Sequence, residues 1–504
     1  MHNHRGLDSD ANQVGRVQRP IGVAEGASSG AYLTPWAPRP PGRPSVRMGL
    51  AAAALSAIVG AIGSCSTPAG NSYISCHTVK ECTTASTPIC DAESLLCRAC
   101  IPSRQADDTA CRNGHPETPR CGPSGVCVAC MINKDCPDQV QKPACRNYTC
   151  GPCQQATDCL SLICSNDGSC AQIADVAFVD NKNGSCQGAT HQGTMADPYC
   201  QIKDALAATA AGGKSLISVA VSSKSYDAVK IVGGSGPSTI TISGAGTELG
   251  SVVIEGDNGE PAVAVSSTNE KITVVLRNLD LVGAPGIYSV VQCNDKVDLS
   301  VTGSRVHDGG KNGIESVNCQ LTVDAVRIYN TNNIGLSISG GSYAVSNVML
   351  WRNYVAGIAF SGSTGTLRFA TVANNGFPSN DKVSGIDCGT GMNLVESSIV
   401  YDNYSRPLGG TSYTDLQLNG CKLSQVVTND TTTVDGTVRT RVDFVNESGT
   451  DASKMDFRLV GNSTFNSECC IDKVTQVGSV VHDIDFQKRP AGSAADIGAF
   501  EVQK

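Results

Sequence analysis

Apolar and polar residues are arranged in three different ways along the chain. Residues 49–63, GLAAAALSAIVGAIG, form an apolar run without a single charge. From 76 to 170 large apolar residues are few, and Pro, Asp, Asn and Thr fill the intervals between cysteines. Beyond Ile173 short apolar runs with strand character take over, among them 217–221 and 229–232. The pattern predicts an export signal, a segment too poor in apolar residues to bury a core, and a long β-rich domain. The first run is too short and too small in side-chain volume to span a bilayer.

The β-rich region is periodic. Gly286-Ile287, Gly313-Ile314, Gly335-Leu336, Gly357-Ile358 and Gly385-Ile386 recur at intervals of 27, 22, 22 and 28 residues. A second row, Asp308, Asn330, Asn353, Asn375 and Asn403, recurs at 22, 23, 22 and 28. A period near 22 matches one coil of a parallel β-helix. The expected fold class is therefore all-β: a right-handed parallel β-helix of about 22–28 residues per coil over residues 174–504, with a disulfide-rich repeat stalk before it. In this reading the Ile and Leu row stacks inward, and the Asp/Asn row forms a structural ladder in which each amide bonds its neighbours above and below. If Ile287, Ile314 and Ile386 point inward, alternation sends Tyr288, Glu315 and Asp387 outward on one face.

Sixteen of the 25 cysteines fall in four groups of four, beginning at Cys76, Cys100, Cys130 and Cys153. Units this small must rely on two disulfides each, and four cysteines admit three pairings among which spacing does not choose. The junctions Cys97/Cys100, Cys127/Cys130 and Cys150/Cys153 also have the C-x-x-C spacing of zinc ribbons. An oxidising exterior favours disulfides over zinc, so residues 76–173 are expected to be a braced stalk after a linker over 65–75. Composition supports export: a reducing cytosol gives 25 thiols no structural return. With 38 Lys+Arg against 46 Asp+Glu, the net charge of −8 argues against a nucleic-acid partner.

Several segments resemble known families. Ile62-Gly63-Ser64-Cys65, behind Arg43 and Arg47, resembles the bacterial lipobox. That resemblance implies a leader and signal peptide over 1–64, lipid on Cys65, a membrane partner through that lipid, and a place on the bacterial outer membrane or cell surface. The stretch before Val46 is long for such a signal, so translation is expected to begin at a GTG codon for Val46, with Met48 as second choice. The cysteine groups resemble the EGF-like modules of surface proteins. Ala177-Phe178-Val179-Asp180, Gly193-Thr194 and residues 197–206 (DPYCQIKDAL) resemble the opening of bacterial pectate-lyase-like parallel β-helix proteins. The resemblance implies a helix plugging the N-terminal end, with Asp197 a fair N-cap, Pro198 in its first turn, and Tyr199, Ile202 and Leu206 on one face. Lys224-Ser225-Tyr226 stands where Pro-Gly-Thr-Tyr is usual. Asp456-Phe457-Arg458-Leu459, Asp483-Ile484-Asp485, Arg489-Pro490 and residues 496–501 (DIGAFE) resemble the closing segment of bacterial choice-of-anchor Q β-helix proteins. The match departs at 468–471 and at Phe486, where glycine is usual. This likeness implies an architecture and assigns no chemistry.

Enzymes of this fold cut polysaccharides, lyases with calcium held by clustered carboxylates and a proton-abstracting Arg or Lys, hydrolases with paired carboxylates. Their local motifs, such as Arg-x-Pro-x-x-Arg and Asp-Pro-His-Glu, are missing here. The best remaining catalytic constellation is Arg305, His307, Asp308, Lys311 and Glu315, with Arg327 and Tyr329 one coil later. Tyr288, Glu315, Tyr329 and Asp387 are the glycan-binding candidates, since tyrosines stack on sugar rings and carboxylates accept hydroxyl hydrogen bonds. His191, His307 and His482 share no metal-ligand spacing, so no metal or other cofactor is expected unless the chain is a lyase using calcium. The leading expectation is a non-catalytic display, adhesion or glycan-binding module; the rival is a polysaccharide lyase or glycoside hydrolase.

Eight cysteines remain beyond the anchor and the stalk. Cys186 and Cys200 bracket the Gly-Thr loop. Cys293 and Cys319 follow Gly286-Ile287 and Gly313-Ile314 at similar offsets and should stack on consecutive coils, and Cys388 and Cys421 lie one longer coil apart. Cys469 and Cys470 must pair with each other or stay free. A vicinal bond, the most readily reduced of the four, is expected.

Overall fold

The computed structural model describes residues 74–503 except 166, 183–190, 235, 248–249, 258, 377–383, 405–417, 430–436 and 449–450. The leader, Val46, Cys65 and Cys186 lie outside the described residues.

From Val176 onward the chain winds into a parallel β-helix with three sheets. Sheet one runs from Val176–Val179 and Leu216–Val219 through Thr239–Gly244, Ile272–Arg277 and Val297–Thr302 to Gly391–Glu396. Sheet two includes Val253–Glu255, Asp280–Val282, Arg305–His307, Thr371–Ala373 and Ile399–Tyr401. Two ten-residue strands, Gln320–Tyr329 and Ser342–Trp351, bend at the corner and serve both sheets. Sheet three is eight-stranded and contains Val263–Ser266, Val291–Asn294, Ile314–Val317, Ile334–Ser339 and Ala356–Ser361. In sheet one, Val301, Val323, Val345 and Leu367 pair in sequence at 22-residue intervals, and Val395 follows after 28.

Aliphatic rows fill the interior. Val263, Val291, Ile314, Leu336, Ile358 and Ile386 stand in one register on sheet three, all fully buried. Each such side chain contributes roughly 1.5–3 kcal/mol relative to exposure. Ile287 is not in this row. It is 76% exposed, because Val291, four residues later, is the partner of Ile314. Tyr288 consequently lies in the turn before the strand rather than beside Glu315, and the outward row is Gln292, Glu315, Ser337, Ala359 and Asp387.

The corners explain the polar row. Asn278, Gly303, Ala325, Asn347, Phe369, Ser397 and Gln425 have positive φ between sheets one and two. Asp308, Asn330, Arg352, Asn374 and Asp402 do so between sheets two and three. One left-handed residue turns the chain sharply, and Asn, Asp and Gly tolerate that conformation best. The buried ladder is the next residue along: Asn353 Nδ2 donates to Asn375 Oδ1 at 2.8 Å, and Asn375 Nδ2 to Asn403 Oδ1 at 2.8 Å. Thr331, not Asn330, continues it, its hydroxyl donating to Asn353 Oδ1 at 2.9 Å. Asp308 and Asn330 therefore belong to the left-handed corner, where Asn330 Nδ2 donates to Asp308 Oδ1.

Helix Ile202–Ala210 packs Ile202, Ala205 and Thr209 against the first coils. It begins after Gln201, so Asp197 is not its N-cap. Asp197 instead faces His191 Nδ1 at 2.9 Å and accepts from Gln192 N–H at 3.1 Å. Tyr226, 1% exposed, donates its hydroxyl to Ala220 O at 2.8 Å.

The C-terminal segment folds back along the outside of sheet two as a strap. Its Phe457, Ile484, Ile497 and Phe500 bury Trp351, Phe369 and Ile399 of the coils. Arg489, 2% exposed, donates to the carbonyls of Asp496, Gly498 and Ala499 at 2.8–3.1 Å, with its guanidinium 4.2 Å from the centre of the Phe369 ring. Asp483, Asp496 and Glu501 accept backbone N–H groups of the strap's turns. The closing motif is thus a set of turn staples. Phe486 has φ of +58°, the conformation that favours glycine.

In the N-terminal arm every group of four pairs first to third and second to fourth, as in Cys76–Cys90 and Cys82–Cys97. Cysteine sulfurs such as those of Cys76, Cys82 and Cys97 crowd together because two disulfides are neighbours. An arginine of each unit reaches an aspartate of the next: Arg98 to Asp107, Arg120 to Asp135, and Arg146 to Asp158. The fourth unit rests on the β-helix, where Arg277 donates to Cys164 O at 2.6 Å. That contact docks the fourth repeat of the N-terminal arm on the coils. Elsewhere Cys293 bonds Cys319, Cys388 bonds Cys421 and Cys469 bonds Cys470, while Cys200 is also disulfide-bonded. Cys293 sits opposite Ser316 in the ladder, so the first of these bonds crosses three residues of register rather than joining stacked positions.

Candidate functional site

Sheet two places Asp280, Arg305 and Arg327 in one outward row, and His307 and Tyr329 in the neighbouring one. His307 is held on both ring nitrogens: Nε2 lies 2.9 Å from Asp280 Oδ1, and Nδ1 lies 2.8 Å from Asp308 Oδ2. Burial works against its protonation, but the two carboxylates outweigh burial and push it up to about 9. At neutral pH it is an imidazolium with both protons engaged, which is not a general base. Asp308 is held below the usual carboxylate range, chiefly by His307.

The other candidates are distributed, not convergent. Glu315 accepts from Lys311 Nζ at 2.7 Å and from the Ser289 hydroxyl at 2.7 Å. Arg327 forms its ion pair with Asp485 of the strap. Arg305 lies 3.4 Å from Asp280 Oδ2. Tyr329 is 5% exposed, stacked between His307 at 4.7 Å and Trp351 at 4.4 Å, so its ring offers no face to a sugar. Calcium requires six to eight oxygens around one point. Asp280 and Asp308 sit on opposite nitrogens of His307 and Glu315 is tied to Lys311, so these carboxylates do not fit that requirement. Asp387 accepts from Gly389 N–H at 3.1 Å and remains on the outer face of sheet three.

Two surfaces escape a linear reading. The outer face of sheet one is a polar ribbon, mostly of hydroxyls, with the Gln320 amide and the Asp298 carboxylate, which pairs with Lys271. Thr239, Thr273, Asp298, Gln320, Ser342 and Thr364 form one row in strand register. Beside that face lies a groove of about 1070 Å³ with three walls: the fourth unit of the arm, the corner between sheets one and two, and residues 481–488 of the strap. His482 Nε2 lies 3.2 Å from Asp324 Oδ2 in its wall, and Asp324 also accepts from Ser346 and Asn347. Burial opposes protonation of His482, and Asp324 outweighs it and raises its pKa. No spacing rule finds this groove, because its walls come from three segments far apart in the chain. The available signal was Phe486, a bulky residue at a glycine position.

No family model matches the chain, and no curated protein matches it. Among solved structures the chain is similar to the pectate lyase Pel9A, with 16% identity and a TM-score of 0.30 over 65% of this chain and 96% of that one.

Proposed function

We propose that the chain is a lipid-anchored protein of the bacterial cell surface, held through Cys65, whose β-helix serves as a non-catalytic glycan-binding or adhesion module. The observation that carries the non-catalytic part is the mutual neutralisation of the candidate charges: His307 by Asp280 and Asp308, Glu315 by Lys311, Arg327 by Asp485. Acid–base chemistry needs a lone pair or proton available to the substrate. Glycan binding is supported by the ribbon on sheet one, whose polar side chains repeat at the strand spacing of about 4.8 Å and offer donors and acceptors to an extended chain of sugar hydroxyls.

A glycan array run beside assays for unsaturated uronic ends and new reducing ends tests this reading. Binding without new ends is expected. Depolymerisation that disappears in Glu315→Ala or Arg327→Ala would overturn it. For the anchor, Cys65→Ser should move the protein from the membrane to the soluble fraction in detergent partitioning; a variant that stays with the membrane would rule lipidation out.

A further inference from the structure

We infer that the disulfide formed by Cys200 is a thiol-exchange site, opened by a small thiol, with Cys200 as the leaving group and His191 as its proton partner. Its chemistry does not depend on whether the β-helix binds a glycan.

The first observation is a Cys–His–Asp array. His191 Nδ1 lies 2.9 Å from Asp197 Oδ1, and His191 Nε2 lies 3.4 Å from Cys200 Sγ. A carboxylate only accepts, so Asp197 fixes the proton of the neutral ring on Nδ1 and aims Nε2 at the sulfur. Asp197 also accepts from the Gln192 N–H at 3.1 Å, and His191 holds its carboxyl below the usual carboxylate range. Other cysteine sulfurs with such contacts, those of Cys121, Cys153, Cys164, Cys319 and Cys469, face backbone carbonyls. A carbonyl neither gives nor takes a proton, and an imidazole does both.

The second observation is position. Cys200 stands two residues before helix Ile202–Ala210, whose N-terminal N–H groups and dipole favour negative charge nearby. Tyr199 donates its N–H to Phe178 O and accepts from Asp180 N–H, both at 2.8 Å, which pins the neighbour of Cys200 to the first strand.

The third is access. Cys200 is half-buried, and the His191 side chain is 13% exposed. Cys293, Cys388 and Cys470 are fully buried, and Cys469 is 5% exposed. The vicinal Cys469–Cys470 bond, expected from the sequence to be the most readily reduced, is therefore shielded in the core beneath the strap. All other described cysteines pair with one another, so the partner of Cys200 lies outside the described residues; Cys186 is the expectation from the sequence.

In the exchange an incoming thiolate forms a sulfur–sulfur bond with the partner of Cys200. The original bond breaks, and its electron pair stays on Cys200 Sγ, held by the Nε2 proton of the His191 imidazolium. A leaving thiol stabilised as thiolate departs faster. A second thiol then displaces the partner sulfur from the mixed disulfide. Two thiols are oxidised to one disulfide, the protein bond is reduced, and the two protons pass to the protein sulfurs.

The test incubates the full chain with reduced glutathione, blocks free thiols with iodoacetamide at intervals, and maps the labelled peptides by mass spectrometry. Cys200 is expected to be labelled before Cys293, Cys388, Cys469 or Cys470. In His191→Gln its release should slow about tenfold or more, and in Asp197→Asn by a smaller factor in the same direction. A side chain that only braced the loop would give the opposite sign, since a loosened loop exposes the bond and speeds its opening. Should His191→Gln unfold, shown by early labelling of Cys293, the sign in Asp197→Asn decides. Release of Cys200 at the wild-type rate or faster in the folded variants overturns the inference. So does labelling of Cys469 and Cys470 ahead of Cys200, or labelling of Cys200 before glutathione is added.

Discussion

His307, a catalytic candidate in the sequence, is engaged on both ring nitrogens and on one ring face. Its ring is stacked on Tyr329 and clamped between two carboxylates, so its charge belongs to the fold. A histidine whose pKa stands near 9 when folded and near 6.5 when unfolded adds stability fully present below about pH 6.5, and that stability is lost as pH rises through 9. At about 1.4 kcal/mol per unit the loss is at most roughly 3–4 kcal/mol. Urea midpoints of the wild type should therefore fall between pH 6 and pH 10 by more than those of His307→Gln. Equal falls would show that the clamp contributes nothing. Left-handed residues are the other lesson at this scale: Asp308, Asn330 and Asn374 are where they are because a corner needs positive φ.

At the level of elements, the Asn ladder is the strongest polar device in the coils. Asn375 is fully buried; it accepts from Asn353 and donates to Asn403, Leu350 O and Ala373 O. Asn375→Ala leaves several of these groups without partners and should cost roughly 3–5 kcal/mol, since each buried unsatisfied group costs about 1–3. Asn330→Gly, on the exposed left-handed corner, should cost less than about 1 kcal/mol because glycine keeps the conformation. Chemical denaturation of both variants checks the assignment of rows; equal costs would contradict it. The slip between the two rows was visible as the single 23-residue interval from Asn330 to Asn353. Periodicity alone does not say whether a row is corner or ladder, because both positions favour asparagine for different reasons.

For the whole molecule, the arm and the strap change what the β-helix presents. The strap covers the outer face of sheet two from Trp351 onward, which removes that face from the surfaces a ligand can reach. The arm is tied unit to unit by arginine–aspartate pairs and to the coils through Arg277. Arg277→Met keeps most of the buried stem and removes the hydrogen bond to Cys164 O. The radius of gyration from small-angle scattering should then rise as the arm leaves the helix; an unchanged value would mean that other contacts hold it.

The sequence by itself determined the parallel β-helix, its coil length near 22, the inward row from Ile314 to Ile386 and the division of cysteines into four groups. Each of these is a repeated local constraint: a strand buries alternate residues, a coil must return to the same register, and a unit without a core needs disulfides. Only the tertiary structure decided that Ile287 stands outside while Val291 stands inside, since the early turns vary in length and Ile287 falls in the turn before the strand that begins at Val291. It also decided the first-to-third and second-to-fourth cysteine pairing, the engagement of every charged catalytic candidate in an ion pair, and the groove of Arg277, Lys488 and Phe486. Those depend on contacts between segments far apart in the chain, and no local propensity or spacing records where a distant segment will lie.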